Sequence, residues 1–455
     1  MSAIRDAIRN ATLDNVVTKE EWASLKPLAS STPKEASEDA RELVNLFAND
    51  KFEMPSTAKT ELRSMLRERG YDAPTARPTG MSSEVFADAI ISSNVTETDS
   101  NFRKLQLLSG QENATVNVGV MDTGLDTKHG GLDSKLWTNV KEIEGDGIDN
   151  DSNGFVDDIH GWDFNNKKGA VVDAEASGSA KIEGWKDEPG AARLNDTQGH
   201  GTHVSGIITQ GTDAVDVMGL QVLGNNFDGK MAADAIDYAA KNGAKVINMS
   251  FRVTDPDDVK AMVEAMKAHP EVLFVASAGN DGNDINGYNA DRYLKKHTLD
   301  NFVVVSAADQ DGKKASYSNY GKPWATHAGI GSNVLSSTPG GKYEAMSGTS
   351  MASPNVAAAA AKAMLLDPGL TPAQVKTLLA DVTQAEAQWD PLVNSAGRVD
   401  SRAAYTLAAI TGVVRREGIS AEAAADKLQL STAERERLLP LVSRYVPAPV
   451  PTPEV

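Results

Sequence analysis

The 455-residue chain contains no cysteine, which excludes disulfide bridges, thiolate zinc sites and a cysteine nucleophile together. That absence does not assign a compartment. Positive charge is scarce: 45 Lys+Arg face 63 Asp+Glu, a formal charge of −18. This argues against nucleic acid or an anionic membrane as partner, because both reward basic patches. It suits divalent cations wherever the carboxylates cluster. Long apolar runs are missing too, and no stretch approaches the roughly 18 consecutive apolar residues of a spanning helix. The opening MSAIRDAIRNATLDN is charged every few positions and lacks the apolar region and small-residue cleavage site of a secretory signal. The expectation is a chain that is cytoplasmic as synthesised, any export taking a non-classical route. What is present is ordinary for a globular protein: 40% apolar and 24% charged residues, enough for a sizeable core. The length suits two to four domains, or one large domain with appendages.

Residues 1–75 read as a helical N-terminal region. Thr18-Lys-Glu-Glu21 and Thr32-Pro-Lys-Glu35 are capping boxes, the second with Pro33 at the favoured first helical position. Leu43, Val44, Leu46 and Phe47 recur at helical spacing. Asp14 to Glu21 has something of a calcium-loop exit, but its ligand spacing is incomplete and a plain helical turn explains it better. Residues 76–99 read as a linker. From 100 to 412, short β-branched runs alternate with helical stretches: Val116–Met121, Val217–Val222, Lys245–Met249, Val272–Ala276 and Phe302–Ala307, with Ala232–Lys241 and Val259–Ala268 between them. The pattern predicts an α/β, doubly wound, mostly parallel sheet with helices on both faces. Residues 413–446 read as a C-terminal helical segment, including the capping box Ser431–Glu434, and 447–455 as a Pro-rich disordered tail.

Three segments carry chemistry. Val118-Gly-Val-Met-Asp122-Thr-Gly places a carboxylate at the carboxyl end of an apolar strand, the edge where open parallel sheets build sites. Asp196-Thr-Gln-Gly-His200-Gly-Thr-His203 frames a histidine with glycines. Met346-Ser-Gly-Thr-Ser350-Met-Ala-Ser-Pro354 sets a serine at the start of the alanine-rich helix Val356–Leu366, where free N–H groups favour a developing oxyanion. A serine hydroxyl needs an imidazole to take its proton, and the imidazole needs a carboxylate to fix its tautomer. A fourth segment, Val275-Ala-Ser-Ala-Gly-Asn280, ends a strand with an amide that could donate to the oxyanion. Other readings exist. Asp122 could be half of an aspartic-protease dyad, but no second DTG or DSG occurs. His200 and His203 could ligate zinc, but zincins use HExxH, and His203 suits a packed helix residue. Ser350 could simply cap its helix.

DTG, GHGTHVSG, SAGN and GTSMASP in this order resemble the subtilisin-like serine proteases, over about 300 residues. The resemblance implies an endopeptidase working through an acyl-enzyme, with Asp122, His200 and Ser350 as triad and Asn280 in the oxyanion hole. It also implies Gly229, Ser250, Phe251, Arg252, Ala278 and Gly279 as substrate-binding positions. The family usually has Leu-Gly-Gly after the strand ending at Ser250; here Phe251-Arg252-Val253 follow. An arginine there would narrow the primary pocket or attract an acidic or polar side chain. Asn355 replaces the usual histidine, and Met351 is an oxidation liability in the family. The stretch Gly211–Met218 is too short for the calcium loop many relatives carry there. Residues 1–95 sit where the family keeps an inhibitory propeptide, yet read helical: a different prodomain, or a partner-binding module. The rival to a peptidase is a catalytically silent binding protein on the same fold; a zymogen held by a separate inhibitor is a third reading.

The insertion between Asp122 and His200 is the remaining signal. Residues 142–163 hold eight carboxylates and no Lys or Arg. Within them, Asp149-Asn-Asp151-Ser-Asn153-Gly154-Phe-Val-Asp157 puts oxygen ligands at alternate positions with a glycine at the turn. The bidentate Glu of an EF-hand is missing, His160 standing in its place. Structural Ca²⁺ on Asp149, Asp151, Asn153 and Asp157 or Asp158 is expected; a solvated acidic loop is the alternative.

Overall fold

The apolar β-branched runs become the middle of one sheet, seen in a computed structural model of the chain. The structure describes residues 7–8, 16–31, 43–44, 46–47, 54–68, 96–165, 199–224, 227–253, 255–287, 299–340 and 342–446. The capping box at Thr32 and the Pro-rich tail lie outside the described residues. The chain divides into two compact units: residues 1–101 with 333–335 and 343–346, and the remainder from 102 onward.

In the N-terminal unit, α1 (Lys19–Ser31) and α2 (Ser56–Glu68) share a core with Leu43, Val44, Leu46 and Phe47, all buried. The Thr18 box forms as read, Thr18 N donating to Glu21 Oε2 at 2.8 Å and Glu21 N to Thr18 Oγ1 at 3.2 Å. The segment read as a linker ends differently. Residues 96–99 begin α3 (Thr96–Leu108), whose Phe102 is buried and meets Tyr405 edge-on at 5.5 Å.

The second unit is built on β1 (Val116–Asp122), β2 (Gly161–Asp163), β3 (Val215–Gln221), β4 (Ala244–Met249), β5 (Leu273–Ser277), β6 (Phe302–Ala308) and β7 (His327–Ile330). Among the described residues the sheet runs β10-β11-β7-β6-β5-β4-β1-β3-β2, parallel except where the short β10 (Gln384–Ala385) meets β11 (Gly397–Arg398). A separate two-stranded sheet pairs β8 (Val334–Thr338) with β9 (Lys342–Met346). The doubly wound α/β class is as the sequence implies. Side chains alternate across the pleat. Met121, Ile247, Met249 and Phe274 meet Ala235, Ile236 and Met262 of α5 (Gly229–Lys241) and α6 (Pro256–Ala268). The alternate set faces α4 (His200–Thr209) and α7 (Thr349–Leu366). After α8 (Pro372–Asp381), α9 (Ser401–Glu417) runs straight through position 412, so the boundary read there falls inside a helix. The cause is packing: α9 remains buried through Val413 against α7 and exposes itself only in its last turn. Two short helices follow, α10 (Ala421–Lys427) and α11 (Thr432–Leu438), the latter opened by the Ser431–Glu434 box. Among the described residues no helix is long and apolar enough to cross a membrane.

Candidate active site

β1 lies between β3 and β4, where the strand order reverses, and ends in Asp122, which is fully buried. Its Oδ1 accepts from His200 Nδ1 at 2.7 Å and from Thr123 N at 2.8 Å. The glycines framing His200 explain how the imidazole gets there. Gly199 sits at φ +91, a left-handed conformation at the helix cap. At Gly201 a Cβ would come within 2.1 Å of Gly124 O, so only glycine allows α4 to close on the turn after β1. Thr123 Oγ1 then accepts from Gly201 N at 2.9 Å. His203 is fully buried in the same helix, the packed position the sequence suggests.

Ser350 is the second residue of α7, at the helix end that presents unpaired N–H groups. Ser350 Oγ donates to Ser250 O at 2.9 Å, and Ser250 Oγ donates to Ser350 O at 2.8 Å. This reciprocal pair clasps the end of β4 to the start of α7. Ser250 Oγ also meets Ser353 Oγ at 3.0 Å and accepts from Asn248 Nδ2 at 2.9 Å. Fully buried, the Ser250 side chain stands behind Ser350.

Asn280 follows β5. Its Oδ1 accepts from Thr349 N and Thr349 Oγ1, both at 2.9 Å, which directs the amide nitrogen the other way. The place a Cβ on Gly348 would occupy lies 3.5 Å from Asn280 Nδ2, 3.6 Å from Ser350 N and 3.8 Å from Asn280 Oδ1. Two donors converge on one small volume, kept open because residue 348 has no side chain.

The substrate positions divide. Phe251 is buried and stacks edge-on with Phe227 at 5.6 Å. Together with Met249, Met262, Phe302, Trp324 and Ala278 it lines an apolar pocket that also includes Arg252. Arg252 is ion-paired, Nη2 lying 2.8 Å from Asp281 Oδ2, and its stem lies 3.2 Å from where a Cβ on Gly279 would sit. Gly229 is no pairing edge. It opens α5, gives its N–H to Asp258 Oδ1 at 2.7 Å, and packs so close to Asp258 that a Cβ would sit 2.3 Å from that residue's Cα. Asp228 caps this helix, and a helix start has no strand edge to offer. Asn355 Nδ2 donates to Ile330 O at 2.9 Å, tying α7 to β7. Met351 is fully buried, which works against the oxidation expected by family resemblance, since oxidation follows exposure.

In the acidic insertion the structure gathers Glu142, Asp149 and Asp151, whose carboxylate oxygens lie within 4.8 Å of one another. Glu142 was not among the expected ligands; it precedes the alternating run, and only folding brings it back. Its Oε1 accepts from Asn150 N at 2.8 Å and Asp151 N at 3.1 Å, its Oε2 from Asp157 N at 3.0 Å. Asp149 accepts from Asn153 N and Gly154 N, the turn the alternating motif predicts. Asn153 uses its Oδ1 on Phe155 N and its Nδ2 on Asp158. Two expected ligands are spent elsewhere. Asp157 braces Gly145 N and Gly147 N. Asp158, fully buried, accepts from Tyr238 Oη at 2.6 Å and Asn139 Nδ2 at 2.8 Å. Burial pushes the Asp158 carboxyl above the usual carboxylate range and, with Asp158 as hydrogen-bond partner, drives the Tyr238 phenol far upward. His160 turns away from the loop, its Nδ1 2.9 Å from Trp137 O. Just outside the stretch without Lys or Arg, Lys141 reaches Asp151 at 3.8 Å.

The fold agrees with comparison to known proteins. The chain belongs to the subtilase family, whose sequence model matches residues 113–405, and over that span it carries a subtilisin-like serine protease domain. It is 29% identical over 336 residues to Subtilisin-like protease 1 of Plasmodium vivax, an alignment covering 66% of this chain and 49% of that protein. To Subtilisin Savinase of Lederbergia lenta it is 33% identical over 207 residues, 42% of this chain and 72% of that one. The chain thus spans about half the length of the Plasmodium relative. A solved structure concerning subtilase cytotoxin SubAB assembly aligns with TM-score 0.53 and 20% identity over 73% of this chain and 98% of that chain, a likeness of fold.

Proposed function

We propose that the protein is a serine endopeptidase that hydrolyses peptide bonds of protein or peptide substrates through an acyl-enzyme. The observation that carries this reading is the 2.7 Å bond between His200 Nδ1 and the buried Asp122 carboxylate. It holds the proton on Nδ1 and leaves Nε2 as the base. The Ser350 hydroxyl exchanges the Ser250 carbonyl for His200 Nε2, gives up its proton, and Oγ attacks the scissile carbonyl carbon. The oxyanion that forms takes hydrogen bonds from Asn280 Nδ2 and Ser350 N. His200 passes the proton to the leaving amine as the C–N bond breaks. Water then repeats the sequence on the acyl-enzyme, with His200 again as base. A fluorophosphonate is expected to label wild type on Ser350 and to leave Ser350→Ala unlabelled. Labelling only after limited proteolysis would indicate a zymogen or a bound inhibitor. No Ser350-dependent adduct under either condition would favour the silent binding protein.

We also propose a structural Ca²⁺ held by Glu142, Asp149 and Asp151. The donors are hard carboxylate oxygens, all three carboxylates are fixed by backbone N–H groups, and such a set suits calcium over softer ions. Bound there, the ion supplies charge neutralisation and stiffness, with no part in the bond-breaking steps.

A further inference from the structure

Asn280 is held from two directions, and only one of them belongs to the serine's own helix. The side chain is fixed by Thr349. The backbone on both sides of Asn280 is fixed by one buried residue, Asn319. Ahead of Asn280, Asn319 Nδ2 donates to Ala278 O at 3.0 Å and Asn319 N to Gly279 O at 2.9 Å. Beyond it, Asn319 Oδ1 accepts from Asp281 N at 3.1 Å and Asn283 N at 2.9 Å, while Nδ2 also reaches Asp281 Oδ2 at 2.8 Å. That same carboxylate oxygen is the one paired with Arg252. The approach is possible because residue 279 is glycine: a Cβ there would stand 2.6 Å from Asn319 Nδ2. Asn319 is anchored in turn, its carbonyl accepting from Ser306 Oγ at 2.8 Å at the end of β6.

We propose that Asn319 is a positioning residue for the oxyanion donor: it fixes the 278–283 loop so that Asn280 Nδ2 meets the transition state in place. Asn319 touches no reacting atom in this role. The proposal rests on the serine endopeptidase reading and deepens it. A misplacement of order 1 Å at such a group can cost about 10²-fold in rate, and the loss belongs to kcat because the bond strengthens only as the oxyanion forms. An amide that merely stabilised the fold would act independently of Asn280; one that aims Asn280 has nothing to aim once that side chain is gone.

The test is a double-mutant cycle on the full chain with a peptide p-nitroanilide bearing an apolar P1 residue. Asn319→Ala is expected to lower kcat by roughly 10–100-fold with KM changed less than about threefold. In the Asn280→Ala background the same substitution is expected to change kcat by less than about threefold. Should Asn319→Ala not fold, Asn319→Asp, which keeps the acceptor and loses the donor, replaces it in the cycle. Gly279→Ala, which displaces the amide from the other side, is expected to reproduce the kcat loss. Equal losses in both backgrounds, or a change confined to KM, would overturn the proposal while leaving the peptidase intact. Wild type without Ser350-dependent turnover would instead remove the peptidase reading on which it rests.

Discussion

At Ser350 the hydroxyl and the carbonyl are both engaged by Ser250, through reciprocal side-chain to backbone bonds. The proposed nucleophile is therefore held by a strand end as well as by its helix. Around it, the amide of Asn280 makes a sharp prediction. Asn280→Ala is expected to lower kcat by roughly 10²–10³-fold at little cost in KM, a magnitude taken from subtilisin and not from this geometry; steady-state kinetics on a peptide anilide would check it. Arg252 makes another. Because Asp281 neutralises it, an acidic P1 residue meets an apolar pocket and an internal ion pair. Asp281→Asn is expected to raise the preference for P1 Glu over Leu by roughly tenfold, the scale of a partly exposed charge pair, measured as a ratio of kcat/KM across a peptide library. Asp122, His200, Asn280 and Ser350, the residues proposed for catalysis, stand out in the sequence because each proposed role demands one residue type inside a short, glycine-framed motif. Glu142 and Asn319 are not. Each works through backbone amides distant in sequence, and nothing in the neighbouring residues marks the side chain that will reach them. Gly229 misleads for a related reason, since a glycine beside a capping Asp serves a helix start as well as a strand edge.

Among the elements, α7 carries the most constraint. All of it is buried but Asn355, and its far end is clamped by α9. Asp367, 1% exposed, takes Thr411 Oγ1 at 2.7 Å and Arg415 Nε at 3.2 Å. Arg416 Nη1 donates to Leu366 O at 3.0 Å. Removing one partner of such a pair strands the other. Arg415→Met is expected to cost roughly 2–3 kcal/mol of stability, a figure below that for fully buried pairs because Arg415 is partly exposed; the urea midpoint should fall with the slope unchanged. β7 supplies a pH-dependent term. His327 is buried with Nδ1 2.9 Å from Thr326 Oγ1 and Nε2 3.2 Å from Lys376 O, and desolvation, with Lys376 nearby, lowers its pKa to about 4 from 6.5. The unfolded chain then binds the extra proton between those values. His327 thus contributes stability that is intact above pH 6.5 and lost as pH falls through about 4. His327→Gln is expected to flatten that part of a plot of melting temperature against pH. The buried central strands were readable as continuous apolar runs. β2, β7, β10 and β11 were not, being two to four residues long and made of Gly, Trp, His and Arg as much as of aliphatics. Their pairing is a property of the sheet that receives them.

At the level of the whole molecule, the surplus of negative charge has a location and a consequence. Eight carboxylates lie between 142 and 163, and three of them converge. Added Ca²⁺ is expected to raise the melting temperature of wild type by about 1–2 °C, roughly what 1–2 kcal/mol produces in a protein of this size, and to do so far less for Glu142→Gln or Asp151→Asn; thermal unfolding with and without a chelator would show it. The α/β class was legible over the long middle of the chain because alternation of strand and helix repeats there. The edges were less so, since α3 begins inside the segment that composition marks as linker and α9 passes the expected boundary, both drawn on by partners such as Tyr405 and Leu366 that no local pattern announces.

The carboxylate bracing of the insertion bears on survival. An endopeptidase is always surrounded by its own copies, and the acceptable substrate is a stretch of backbone free to lie extended in the cleft. In the 142–158 insertion the amides of Ile143, Gly145, Gly147, Asn150, Asp151, Asn153, Gly154 and Asp157 are all bonded to side-chain oxygens of the same loop. A neighbouring molecule that tried to draw this loop out would have to break those bonds together. For the proposed endopeptidase, this bracing is expected to slow self-digestion of an exposed, acidic, glycine-containing insertion.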